Sequence, residues 1–306
     1  MTKDEFVAQV KEKSERTNSV RMTRVGLGPW SPSKEKLLSQ CPFQFYLKYI
    51  LKIKVPPILG MKSDPLSAEV GKAAHRVLEF VMLGDSIGQA FDKAKVEFLA
   101  ESPVLTEDLW REKVSALEYQ IHSFQERISA FKVHTPIKQV FTERNIGITS
   151  QWTPTEFFAN DVWYRGVVDL ILLLTNNDII IIDHKTGGGQ GSVKNYAFQL
   201  DRYKALFHHG VAPINGAQSG IHFIGEGSIK MGTYSGRDEI ESQIVERIKW
   251  EIDGAIESVV STGYFKHVRG NYCKWCDFDG VGCKDKSLLP VELGTKKFFK
   301  IEVAKG

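Results

Sequence analysis

Apolar residues at helical spacing dominate the first 135 positions, and strand-like runs replace them from Ile137 onward. Residues 1–29 predict a polar helix followed by a flexible segment with Gly26 and Gly28. In Trp30-Ser31-Pro32-Ser33-Lys34, Ser31 or Ser33 can cap a helix whose first turn accepts Pro32. That helix carries Leu37, Leu38 and Cys41, and Pro42 then kinks it or starts a second segment through Phe45, Tyr46 and Tyr49. After a loop over 55–65, a helix is predicted over 67–83, with two more over 86–133 that break near Ser102-Pro103.

Val140-Phe141-Thr142-Glu143, residues 162–174 and residues 179–185 predict strands, the last two joined by a hairpin turn at Thr175-Asn176-Asn177-Asp178. A glycine-rich loop over 187–192 precedes a helix over 195–209 with Gly210 as its stop. A strand near 221–224 and a helix over about 238–260 complete the pattern. Helix, three strands, helix, strand is an α/β core with helices on its faces, preceded by a helical region. One domain over 1–306 is expected, with a helical region at 30–135, a core at 136–262 and a C-terminal segment at 263–306.

The hairpin carries the chemistry. Asp169 interrupts the apolar run from Val167 to Leu174, and Asp183 and Lys185 end the run that begins at Ile179. A lone carboxylate in so apolar a strand costs several kcal/mol unless it is paired or bound to metal. Two carboxylates beside a lysine on adjacent strands suit a phosphodiesterase that uses a divalent ion, Mg²⁺ or Mn²⁺. A buried Asp–Lys structural pair is the competing reading. Register separates the two: a two-residue turn at Asn176-Asn177 would set Leu170, not Asp169, opposite Asp183. A shared site therefore requires a three-residue loop or a bulge.

Charge changes the picture little. The net charge is +3, although the nine Lys/Arg and five Asp/Glu from Tyr264 onward give that end a net +4. A basic tail fits a phosphate-binding surface as well as it fits a solvated face. No signal-peptide-like run or membrane-length apolar stretch is visible, which predicts a soluble, cytoplasmic protein with no membrane partner. Four cysteines are too few for a disulfide scaffold in a chain this long. Cys273 and Cys276 form a CxxC, Cys283 follows after six intervening residues, and Cys41 precedes Pro42. Four soft thiolates select Zn²⁺ or an iron–sulfur cluster.

Gly166-x-x-Asp169 followed by Asp183-His184-Lys185-Thr186-Gly187 resembles the GxxD…DxKTG signature of RecB-type nucleases in the PD-(D/E)XK superfamily. Gln199-Leu200-Asp201-Arg202-Tyr203 is similar to the QxxxY motif of that group, and Gly71-Lys72-Ala73-Ala74-His75 to its helical histidine motif. The resemblance implies a restriction-endonuclease-like core, a small mixed sheet flanked by helices. It implies His75, Asp169 and Asp183 as metal ligands, Lys185 as the group that positions water, and Gln199 and Tyr203 toward DNA. Glu143 stands where related enzymes often carry an acid. The one-plus-three split of the cysteines resembles the [4Fe–4S] nucleases of the group, including the AddB nuclease domain and CRISPR-associated relatives. The cluster would join the N- and C-terminal segments through Cys41, Cys273, Cys276 and Cys283.

The expectation is a metal-dependent deoxyribonuclease, most simply an exonuclease on DNA ends in recombination, repair, phage DNA metabolism or CRISPR adaptation. No GxxxxGK[ST] loop is present, so unwinding would fall to a helicase or other partner protein. A non-catalytic DNA-binding or assembly subunit, or a structure-specific endonuclease, are the alternatives.

Overall fold

The computed structural model describes residues 2–16, 26–55, 65–102, 104–187, 193–279 and 283. Most of the expected 187–192 loop and the basic segment from 284 onward lie outside them. The chain divides into two compact units, Met1–Ser63 with Glu246–Gly306, and Asp64–Val245.

The first unit opens with α1 (Lys3–Arg16) and α2 (Pro32–Gln40). Ser31 caps α2 by accepting the Lys34 N–H, with Pro32 in the first turn. Pro42 does not kink α2 but starts α3 (Pro42–Phe45), which widens into a π-helical turn over Tyr46–Ile50. The chain later returns to this unit along α9 (Val245–Thr262). Tyr46 stacks on Phe265 at 4.8 Å between ring centroids, so aromatic burial ties the two distant stretches together.

The second unit holds α4 (Pro65–Met82), α5 (Ile87–Glu101), the short α6 (Glu107–Leu109) and α7 (Glu118–His134). Ser86 and Gln89 close a capping box on α5, which fixes where it begins. The strands are β1 (Ile137–Ile148), β2 (Pro154–Thr155), β3 (Tyr164–Leu174) and β4 (Asp178–Lys185). After α8 (Ala197–Gly210) come β5 (Gly216–Phe223), β6 (Ser228–Met231) and β7 (Ser235–Gly236). Their order is β2-β1-β3-β4-β5-β6, with β7 also on β5. Among the described residues, only β4 and β5 run parallel, joined through α8. This is the mixed sheet flanked by helices that the family resemblance implies, with β2, β6 and β7 added to the four strands read from the pattern.

Leu170, Leu172 and Ile182 of the sheet pack with Ala73, Ala74 and Val77 of α4, Phe91 of α5 and Phe124 of α7. Each large side chain in such a cluster contributes roughly 1.5–3 kcal/mol by leaving water. The cluster therefore fixes α4 against β3.

The β3–β4 hairpin pairs Leu173 with Ile179 and Leu170 with Ile182. That register closes a three-residue loop, Thr175-Asn176-Asn177, with Asn177 left-handed at φ 63° and Asp178 N–H donating to Asn176 Oδ1. It sets Asp169 opposite Asp183, as a shared site requires.

Candidate metal centre and active site

Three acids stand in line across three neighbouring strands. On β1, Glu143 lies between the pairs Thr142–Leu170 and Arg144–Val168, which sets it opposite Asp169. On β4, Asp183 is the next position beyond the last β3–β4 pair, Leu170–Ile182, where the ladder stops. Asp169 Oδ2 accepts the backbone N–H of His184 at 2.7 Å and so bridges the opening strands.

Side-chain alternation slips at this point. Asp169 meets α4 through His75, and the next residue, Leu170, also packs in the cluster with Ala73 and Ala74 of α4. Glu143 is the matching irregularity on β1, held left-handed at φ 43°. That backbone costs on the order of 1–2 kcal/mol and persists only where the surroundings impose it. The slip turns Gly166 toward α8, where an added Cβ would lie 2.9 Å from Leu206 Cδ1 and 3.2 Å from Tyr203 Cε1. The glycine of the GxxD motif thus allows the helix to approach the strand.

His75 Nδ1 lies 3.4 Å from Glu143 Oε1 and 3.7 Å from Asp169 Oδ2. Among the described residues, these three form the group of metal-capable side chains whose ligand atoms all fall within 4.8 Å of one another. Two carboxylate oxygens and one imidazole nitrogen suit a hard or borderline divalent ion. His75 and Glu143 of this set line an open cleft of about 450 Å³ together with Gly71, Lys72, Arg76, Phe98 and Thr186.

Asp183 is held differently. It is buried, with Oδ2 2.6 Å from Lys185 Nζ and Oδ1 accepting from Gln199 Nε2 at 3.0 Å. Gln199 Nε2 also donates to the Tyr203 hydroxyl at 2.6 Å, so the two residues one turn apart on α8 act as a unit behind Asp183. Tyr203 is 6% exposed and addresses Gln199 rather than solvent. Lys185 Nζ lies 5.6 Å from the Tyr196 ring centroid.

The electrostatics follow from crowding. Burial, then the charge of Asp183, pushes Asp169 up to about 7. Burial also raises Asp183, against the pull of Lys185. Burial alone would lower His75, but its hydrogen bond to Glu143 and the charge of Asp169 outweigh that and raise it. A cation between these groups would relieve the repulsion and favour the ionised carboxylates. Behind them, His184 and His222 meet through their Nδ1 atoms at 3.0 Å, and burial keeps both neutral.

The structure thus brings His75 and Asp169 together with Glu143, and gathers Asp183, Lys185, Gln199 and Tyr203 beside them. The sequence offers only one signal for Glu143, an acid on a strand that precedes GxxD.

The first unit contains the cysteines. Cys41 sits between α2 and α3, Cys273 lies in a 3₁₀ turn over Asn271–Trp275, and Cys276 and Cys283 follow. All four line one small cavity with Phe43, Leu47, His267 and Tyr272, and Cys283 Sγ lies 3.9 Å from His267 Nε2. Tyr272 donates to the carbonyls of Gln40 and Val268, fastening the residue before Cys41 to the C-terminal stretch. Burial pushes the Cys276 thiol up to about 11, a cost that a bound cation removes. Among the described residues, no three of these sulfurs lie within 4.8 Å of one another. Four thiolates on one Zn²⁺ would sit about 3.8 Å apart, given ~2.3 Å Zn–S bonds.

A family model described as the PD-(D/E)XK nuclease superfamily matches residues 29–282. Among solved structures, a protein designated SSO0001 is 16% identical, with 62% of this chain and 79% of that one covered and a TM-score of 0.31. A protein from Eubacterium rectale, provisionally described as an exonuclease, is 11% identical, with 90% and 92% covered and a TM-score of 0.44. No curated protein matches the chain.

Proposed function

The chain belongs to the PD-(D/E)XK nuclease superfamily, with a restriction-endonuclease-like fold, and we propose that it is a RecB-type, divalent-metal-dependent deoxyribonuclease acting on DNA ends. The observation that carries this reading is the meeting of His75, Glu143 and Asp169 beside the Asp183–Lys185 pair.

A divalent ion bound there would polarise the scissile phosphate and lower the pKa of its water. His75, Glu143 and Asp169 would hold it, with Asp183 as a further acid beside them. Lys185, already fixed by Asp183, would orient the attacking water and offset charge developing on the phosphate. Gln199 positions Asp183, and its half-buried amide would meet substrate. The Gln199–Tyr203 link keeps that carboxylate from rotating away.

The thiol cavity supports a second cofactor, a [4Fe–4S] cluster on Cys41, Cys273, Cys276 and Cys283, with Zn²⁺ as the alternative. Four thiols around one cavity favour a bound group. Its role is structural: it would close a loop of over two hundred residues and remove unfolded-state entropy.

Digestion of end-labelled linear DNA beside a covalently closed circle, in Mg²⁺ or Mn²⁺, tests the exonuclease reading. Loss of the linear substrates with the circle spared is expected. Cutting of the circle would assign an endonuclease instead, and no cutting at all would leave a binding subunit.

A further inference from the structure

Beyond the acids, one stretch of β3 leads to an unusual surface. Tyr164, Gly166 and Val168 are buried, whereas Arg165, Val167 and Asp169 are more open, so the latter three share a side of the strand. Val167 is 37% exposed and faces Asn145 across the ladder, also exposed. Arg165 faces Gly147.

At the far end of this row stand two aromatic rings. Phe158 is 80% exposed, and its ring centroid lies 4.9 Å from that of Phe157, edge to face. The Arg165 guanidinium lies 4.9 Å from the Phe157 ring and 5.4 Å from the Phe158 ring. Arg165 Nη1 also donates to the Phe157 carbonyl at 3.0 Å. Gly147 explains the placement: a Cβ there would meet the carbonyl oxygens of Thr155 and Glu156 at 3.0 and 3.1 Å. The absence of a side chain lets that segment cross β1 and deliver the two phenylalanines beside Arg165.

Charge separates this feature from an incidental apolar spot. Arg76, also near the acids, is paired with Glu79 and Glu97. Among the described residues, Arg165 has no carboxylate partner. Its cation is therefore available to an outside anion, and its position is fixed by the two rings and a carbonyl. An exposed aromatic face beside an uncompensated guanidinium is what a single-stranded nucleic acid needs, since bases stack and phosphates pair.

We infer that Phe157, Phe158 and Arg165 form a stacking platform that grips a single DNA strand on its way to the acids. The inference rests on the nuclease reading. Asp169 lies four strand steps beyond Arg165, about 13 Å at ~3.3 Å per residue. That distance spans about four nucleotides at ~3.4 Å each, and fewer if the strand is drawn out. The platform would hold the strand a fixed number of nucleotides from the cutting point and favour frayed or single-stranded ends over blunt ones.

The test is affinity for fluorescent oligothymidines of graded length, measured on the full chain in EDTA so that binding is read without cutting. Phe158→Ala is expected to weaken binding about tenfold, the loss of one base–aromatic stack. The penalty should appear only for oligomers long enough to reach the platform, which a merely structural role would not produce. Phe158→Trp should restore affinity, and Arg165→Gln should flatten the slope of log affinity against log salt by about 0.7. An unchanged affinity in Phe158→Ala, within twofold of the parent, would overturn the platform. It would leave the nuclease reading in place if the parent still cuts DNA in Mg²⁺ or Mn²⁺. Failure of the parent to bind any oligomer overturns the platform as well, and cleavage then decides the nuclease reading separately.

Discussion

Asp169 Oδ2 accepts the backbone N–H of His184 at 2.7 Å, joining β3 to β4 just where their ladder ends. This bond keeps one carboxylate oxygen beside Asp183 and within 3.7 Å of His75 Nδ1 while the strands part.

Metal binding is expected to tighten as pH rises toward about 7. Asp169 titrates at about 7 in the folded protein, against 3.8 for an ordinary aspartate. Because the folded value is raised, its contribution to stability is fully present below pH ~4 and is lost as pH climbs through about 7. Without metal, melting temperature should fall over that window; with Mn²⁺ it should recover. Calorimetric titration of Mn²⁺ across the same range checks this, and an affinity independent of pH would contradict it.

Gln199→Ala removes the donor shared by Asp183 Oδ1 and Tyr203. A buried acceptor left without its donor costs about 1–3 kcal/mol, and loss of a group that orients a metal-site carboxylate weakens metal binding roughly 10–100-fold. Thermal melts and Mn²⁺ titrations read the two effects separately.

Gly166→Ala places a Cβ 2.9 Å from Leu206 Cδ1. Overpacking of this kind costs about 1–3 kcal/mol. Denaturant unfolding should show the loss, and the double change with Leu206→Ala should lose less than the sum of the two single changes, since it empties the space the methyl needs.

The hairpin was the most legible part of the site. Counting from Asp169 and Asp183 to the turn demands three loop residues, and Thr175-Asn176-Asn177 supplies them, with an asparagine at the left-handed position. What stayed hidden is the slip at Glu143 and Asp169. Strict alternation cannot foresee two consecutive residues meeting one helix, because the cause is the packing of α4 and α8 on opposite sides of β3. Glu143 is marked in the sequence only as an acid where related enzymes often carry one; its φ of 43° and its 3.4 Å approach to His75 emerge from the fold. The cysteine spacing was visible at once, whereas their spread around the cavity depends on the tertiary fold. Arg165 and Phe158 carry no local signal at all, since their meeting depends on the crossing at Gly147.

Cys276→Ala is expected to lose bound metal and stability before it loses chemistry at Asp183. Iron and zinc content with visible absorption, measured beside the melting temperature, would show this. A colourless, iron-free parent that is fully stable would remove the cluster.

The most direct test is cleavage of end-labelled single- and double-stranded DNA by the parent and by Asp183→Ala, in Mg²⁺ or Mn²⁺ and in EDTA. The parent should cut only with metal, and Asp183→Ala, folded by its circular dichroism, should be slower by at least about 100-fold. Equal rates for the two proteins, or cutting by the parent that ignores EDTA, would contradict a metal-dependent site built on these acids.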